Sequence, residues 1–170
     1  MQSIAIITLA ILAAVTYGVL HDQVTARVCV EYFTIGHPPL FTFETKSPTL
    51  LAFGWGVAAT WWVGLILGIL LAFVSRAGQR PKVHVNELYR PLGLLMFVAA
   101  VAALASGVLG YTLSANEVVN LVEPLRSQIP PSKHSLFIAD LWAHTASYVV
   151  AFCGGLILIV YTRQNRLVRQ

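Results

Sequence analysis

Six side chains able to coordinate a metal or carry a proton stand out against an oily background: His21, Asp22, Glu31, His37, Asp140 and His144. Imidazole and carboxylate are the ligand types that hold Zn, Fe or Cu, and the same groups serve as proton donors and acceptors. Asp140 and His144 are four residues apart, which puts them on one face of a helix, and they lie inside an apolar run rather than a loop. Four further residues along is Tyr148, which extends that face. An ionisable group inside a membrane span costs about 2.5–3.5 kcal/mol on insertion scales, so it requires a partner. His21 and Asp22 close the first apolar run and supply a second imidazole and carboxylate.

His21, Asp22, Asp140 and His144 are therefore candidate ligands for a divalent transition metal (Zn, Fe or Cu), with Glu31 as candidate catalytic proton acceptor. Glu31 or His37 reaching in from the outer loop would raise the ligand number to that of a two-metal site. Plainer readings use the same residues. Asp140 is also an early-helix acid favoured by the helix dipole. His144 can bond a backbone carbonyl or Asp140, and His21-Asp22 can simply mark a membrane boundary. His84 and Glu87, three apart, form a second polar pair, which reads first as a solvated helix start.

The elements that must position these groups are membrane spans. Of 170 residues, 57% are hydrophobic and 11% charged, against roughly 25% charged in soluble domains. A spanning helix needs about 20 apolar residues. Four runs qualify, at about 3–20, 50–75, 91–114 and 136–161, so the expected fold is all-α: a single four-transmembrane-helix bundle over residues 1–170. The first run lacks a basic n-region and an A-x-A pattern, so it is expected to be a retained helix rather than a cleaved signal. Gly56, Thr60, Gly64, Gly68 and Ala72 form a small-residue stripe on the second span, and the third offers Ala102, Ser106 and Gly110 at the same spacing with Ala99, Ala103 and Gly107 beside them. Such stripes let helices approach closely.

Charge placement orients the bundle. One set of connections carries Arg76, Arg80, Lys82, Arg90, Arg163, Arg166 and Arg169 against Glu87 alone. The other side carries Arg27, Lys46, Arg126 and Lys133 against Asp22, Glu31, Glu44, Glu117, Glu123 and Asp140. Lys and Arg collect in short cytoplasmic loops, so both termini are expected in the cytoplasm and the candidate site outside it. The net charge of +4 reflects this asymmetry; it is no argument for nucleic acid, and anionic lipid is the natural partner of the basic rim. Cys29 and Cys153 fall at different depths and read as two small apolar side chains.

After the first span, residues 24–34 and 40–46 alternate with β-branched and aromatic residues around Gly36-His37-Pro38-Pro39. Period-two alternation predicts a short extracytoplasmic β-hairpin or extended loop. The rival is a helical continuation in which Arg27 and Glu31 pair at i, i+4. The third connection, with Pro124, Pro130 and Pro131, predicts a short helix over residues 116–122 and an irregular return.

At His21-Asp22-Gln23, Glu31-Tyr32-Phe33-Thr34 and LLAFGWGVAATWWVG (residues 50–64), the first half of the chain resembles a group of small bacterial integral-membrane proteins sharing a similar HDQVTxRVxxEYFT segment. The resemblance implies a multi-pass protein of the bacterial inner membrane and no particular activity. Three functions are compatible with these residues: a metal-dependent membrane protein, catalytic or not; a noncatalytic structural or accessory subunit of a membrane complex or homo-oligomer; and a haem or quinone redox carrier using His21 and His144. A transporter fits less well, since four spans show no inverted repeat.

Overall fold

The computed structural model describes residues 1–168; Arg169, counted above in the basic tail, lies outside the described residues. Helix α1 runs Gln2–Val28 and a short α2 runs Val30–Thr34. The second span is built from α3 (Pro48–Ala58) and α4 (Trp61–Arg76), the third is α5 (Tyr89–Ala115), and a short α6 (Leu125–Gln128) precedes α7 (His134–Val168). Four of the helical segments are long and apolar enough to cross a membrane, as a multi-pass membrane protein requires. Only 17–28% of the most apolar window of each span is buried within the chain, which leaves most of their surface to lipid.

Local chemistry sets the boundaries. Ser47 Oγ accepts the Leu50 N–H at the start of α3, with Pro48 in the first position, where a missing donor costs nothing. Pro91 lies in the first turn of α5 for the same reason. The second span is interrupted at Ala59-Thr60, where Thr60 Oγ1 donates back to the Gly56 carbonyl. His84 N–H is accepted by Glu87 Oε1 at 2.9 Å, so this pair is the start of a 3₁₀ turn leading into α5.

Packing follows the small-residue stripes. Helix α1 lies along α3 and α4, and α5 lies along α7. A Cβ on Gly56 would sit 2.6 Å from Val19 backbone atoms, and one on Gly64 2.7 Å from the Ala10 carbonyl oxygen. Neither position admits a larger residue without parting the helices. Gly107 meets the Ala139 backbone across the second pair.

The expected β-hairpin is absent: the described residues contain no strand. Residues 24–28 continue α1, where Arg27 Nη1 bonds the Gln23 carbonyl and side-chain oxygens, and Arg27 Nη2 bonds Thr49 Oγ1 rather than pairing with Glu31. The chain turns at Cys29, whose backbone is extended, and resumes as α2. The physical reason is burial. Ala26, Cys29, Tyr32 and Phe33 recur at helical spacing and pack on Leu51, Ala52, Phe137 and Ile138, so tertiary contact overrides β-propensity. Residues 41–43 form a bend, and 40 and 44–46 have no regular structure. In the third connection, residues 116–119 are turn and bend and 120–122 are irregular rather than the expected helix, and helical structure comes later, at α6.

Candidate functional site

His21 and Asp22 occupy the sixth turn of α1, and His144 lies in the third turn of α7, so both helices deliver their polar groups at the same end of the bundle. One ligand atom from each of His21, Asp22 and His144 lies within 4.8 Å of the other two. Asp22 and His144 are buried and His21 is half-buried. His144 Nε2 is 3.2 Å from Asp22 Oδ1. The His21 and His144 rings meet edge to face with centroids 4.5 Å apart.

The protons can be counted. His144 Nδ1 is 2.8 Å from the Asp140 main-chain oxygen. A carbonyl only accepts, so Nδ1 carries the proton and Nε2 is the position left for a metal or a second proton. That nitrogen faces a carboxylate oxygen, another acceptor. A positive species, either a proton or a metal ion, must lie between them for the contact to be attractive. Among the described residues, His21 Nε2 and Asp140 Oδ2 are buried with no hydrogen-bond partner, which is costly in a low-dielectric interior. The donor set fits an ion: two imidazoles and a carboxylate are ligand types for Zn or Fe, and their ligand atoms already lie within 4.8 Å of one another.

Of the other expected site residues, Asp140 is buried and contributes its main-chain carbonyl to orienting His144, but its carboxylate is outside the close group of three. Glu31 is likewise outside; its Oε2 accepts from Cys29 Sγ at 3.4 Å. His37 Nδ1 donates to the Tyr32 carbonyl at 2.8 Å, and the His37 ring packs on Tyr32 and Trp55. Tyr148 is half exposed, and Ser147, three residues after His144, takes the inward position instead. Ser147 Oγ bonds Tyr17 OH at 2.7 Å, and the Tyr17 ring stacks on His21.

An aromatic cover closes the outer side. The Tyr32 ring stacks on His144 with centroids 4.4 Å apart, and Phe33 approaches the same imidazole edge-on. Burial, reinforced by the negative field of Tyr148, Asp140 and Asp22, pushes the Tyr32 hydroxyl above its ordinary pKa, so it stays a neutral phenol. Burial also pushes the Cys29 thiol up to about 12.

Sequence reasoning missed Tyr17, Ser147 and the stacking role of Tyr32. A signal existed for the first: Tyr17 and His21 are four apart, one face of α1. At the opposite end it missed Arg166, which had been counted only as a topological charge. Its guanidinium donates to the carbonyls of Pro81 (2.7 Å), Ala77 (2.8 Å), Arg80 (3.1 Å) and Val74. Leu158, Thr162 and Arg166 are buried at four-residue spacing, a helical face that the sequence carries into its tail. Comparison with protein-family models, curated proteins and solved structures finds no match.

Proposed function

We propose that this chain is a multi-pass protein of the bacterial inner membrane that binds a divalent transition metal at its extracytoplasmic end through His21, Asp22 and His144. The observation carrying the reading is the convergence of two imidazoles and one carboxylate from two helices, with His144 Nδ1 already committed and Nε2 turned inward. The excess of Arg and Lys at the other end supports the orientation with both termini cytoplasmic. Two imidazoles and a carboxylate suit Zn or Fe, and three protein ligands leave a coordination position for water or substrate. An ion held there would act as a Lewis acid on whatever occupies that position. The protein's own contribution is to orient His144 through the Asp140 carbonyl and to exclude water with Tyr32 and Phe33. Both features raise the definition of a metal site. The bilayer is the immediate partner, and assembly as a homo-oligomer or with other membrane subunits is compatible with the largely lipid-facing spans.

Metal analysis of the detergent-purified protein, as isolated and after loading with Zn, Fe or Cu, tests the reading. One ion per chain is expected, falling below about a tenth in His144→Ala and His21→Ala, since even outer-shell losses cost 10–100-fold in affinity. Unchanged occupancy in His144→Ala, or no ion bound under any loading condition, would sink it.

The second reading is a structural polar network in a noncatalytic subunit, favoured by the 3.2 Å Asp22–His144 contact, which one shared proton also satisfies. It predicts loss of stability in those variants with no ion in the parent. A bis-histidine haem suits the geometry poorly, because the two rings are in edge contact with no slab between them for a porphyrin.

A further inference from the structure

At the basic end of the bundle, α5 and α7 together line an apolar groove of about 830 Å³. Leu94 and Val98 of α5 and Val150, Cys153 and Ile157 of α7 line its walls. Further along, Ala99 and Ala103 are buried on α5 and Gly107 meets Ala139 and Ala143 of α7, while within the groove Leu95 of α5 lies directly against Gly154 of α7. The mouth is polar: Arg90, Glu87, Thr162 and Asn165 line it. This volume lies within the range of about 300–1,000 Å³ that small-molecule sites occupy.

The occupant is indicated by charge. Around the mouth end, the described residues Arg76, Arg80, Lys82, Arg90, Arg163 and Arg166 stand against the single acid Glu87. Two of these cations are committed to main-chain carbonyls: Arg166 as described above, and Lys82, whose Nζ bonds the Arg76 and Gly78 oxygens at 2.6 Å. Glu87 accepts the His84 N–H. Arg90 lines the groove itself, in the first turn of α5. We propose that the α5–α7 groove is a binding site for an anionic phospholipid, its acyl chain lying along Leu94, Val98 and Ile157 and its phosphate meeting Arg90. Basic pockets between spans recognise anionic headgroups in this way. The site is separate from the His21–Asp22–His144 cluster and does not depend on a metal there.

Native mass spectrometry of the detergent-purified full chain, titrated with phosphatidylglycerol or with phosphatidylcholine of identical acyl chains, decides the proposal. One phosphatidylglycerol retained at least about tenfold more tightly than phosphatidylcholine is expected. Arg90→Gln should remove that preference, and Cys153→Trp, which fills the wall, should weaken both lipids. Thermal unfolding confirms that each variant is folded, and Arg90→Lys, which keeps the charge, should restore most of the preference. Equal retention of the two lipids by the parent chain overturns the proposal. So does a preference unmoved by Arg90→Gln, or a groove filled by a second copy of the chain, seen as a lipid-free dimer that Cys153→Trp dissociates.

Discussion

At the basic end, Arg166 is 4% exposed and every arm of its guanidinium ends on a main-chain carbonyl near the close of α4. At the acidic end, Asp22 and His144 are equally buried, yet His21 Nε2 and Asp140 Oδ2 beside them have no partner among the described residues. The first arrangement is saturated. A cation there neutralises a helix C-terminus and satisfies carbonyls that α4 leaves open, so it needs nothing from outside. The second has two acceptors, His144 Nε2 and Asp22 Oδ1, turned toward one another with a positive species required between them. Burial of an ionisable group therefore does not by itself single out a candidate site in a membrane bundle. Unpartnered polar atoms alone do not either, since Ser75 Oγ and Arg76 Nη1 near Arg166 share that state. At the acidic end they stand beside two imidazoles and a carboxylate within 4.8 Å of one another.

The sharpest way to break that contrast is Arg166→Ala. Four carbonyls would lose a charged donor, and unfolding free energy in detergent should fall by about 3 kcal/mol, while metal occupancy per folded chain stays unchanged. A loss below about 0.5 kcal/mol in a denaturant titration would mean that the basic end is solvated, not saturated. Next in size is Asp140→Asn, which preserves the main-chain carbonyl that holds His144. Stability should shift by about 1 kcal/mol, with ion stoichiometry retained. Loss of the ion in this variant would make the Asp140 carboxylate a fourth ligand and redraw the site.

The smallest effect concerns Cys29. Its thiol is held protonated up to about pH 12 by burial, against about 8.5 for a free thiol. An acid whose folded pKa is raised favours the folded state below the unfolded value, and that contribution is lost as pH climbs from about 8.5 toward 12. At pH 9, N-ethylmaleimide should spare Cys29 in the folded protein and modify it once the chain is unfolded. Rapid modification of Cys29 in intact protein, read by peptide mass spectrometry, would show that the cover over the site opens readily.

Much of the architecture was legible because lipid imposes a simple rule. Runs of about 20 apolar residues must be helices, since no other single segment satisfies its own backbone in hydrocarbon, and Gly56, Gly64 and Gly107 mark where such helices touch. The stretch after the first span was not legible in the same way. Val24 to Thr34 alternates like a strand, but its alternation and the helical spacing of Ala26, Cys29 and Phe33 coexist in the same letters. Contact with Leu51 and Phe137 selected the helix. Asp140 and His144 could be placed on one face from their spacing, whereas the bond His144 makes is to the Asp140 carbonyl and not to its carboxylate.

From its letters alone, this chain was bound to form four helices apolar enough to cross a membrane and to sort most of its acids and histidines to one end, because hydropathy and charge are additive along a sequence. Which of those groups touch was decided only by folding. Asp22 meets His144 across 122 positions, and Ser147 rather than Tyr148 turns inward, because a side chain's partner depends on the rotation and depth of two helices against each other, and no local pattern encodes that.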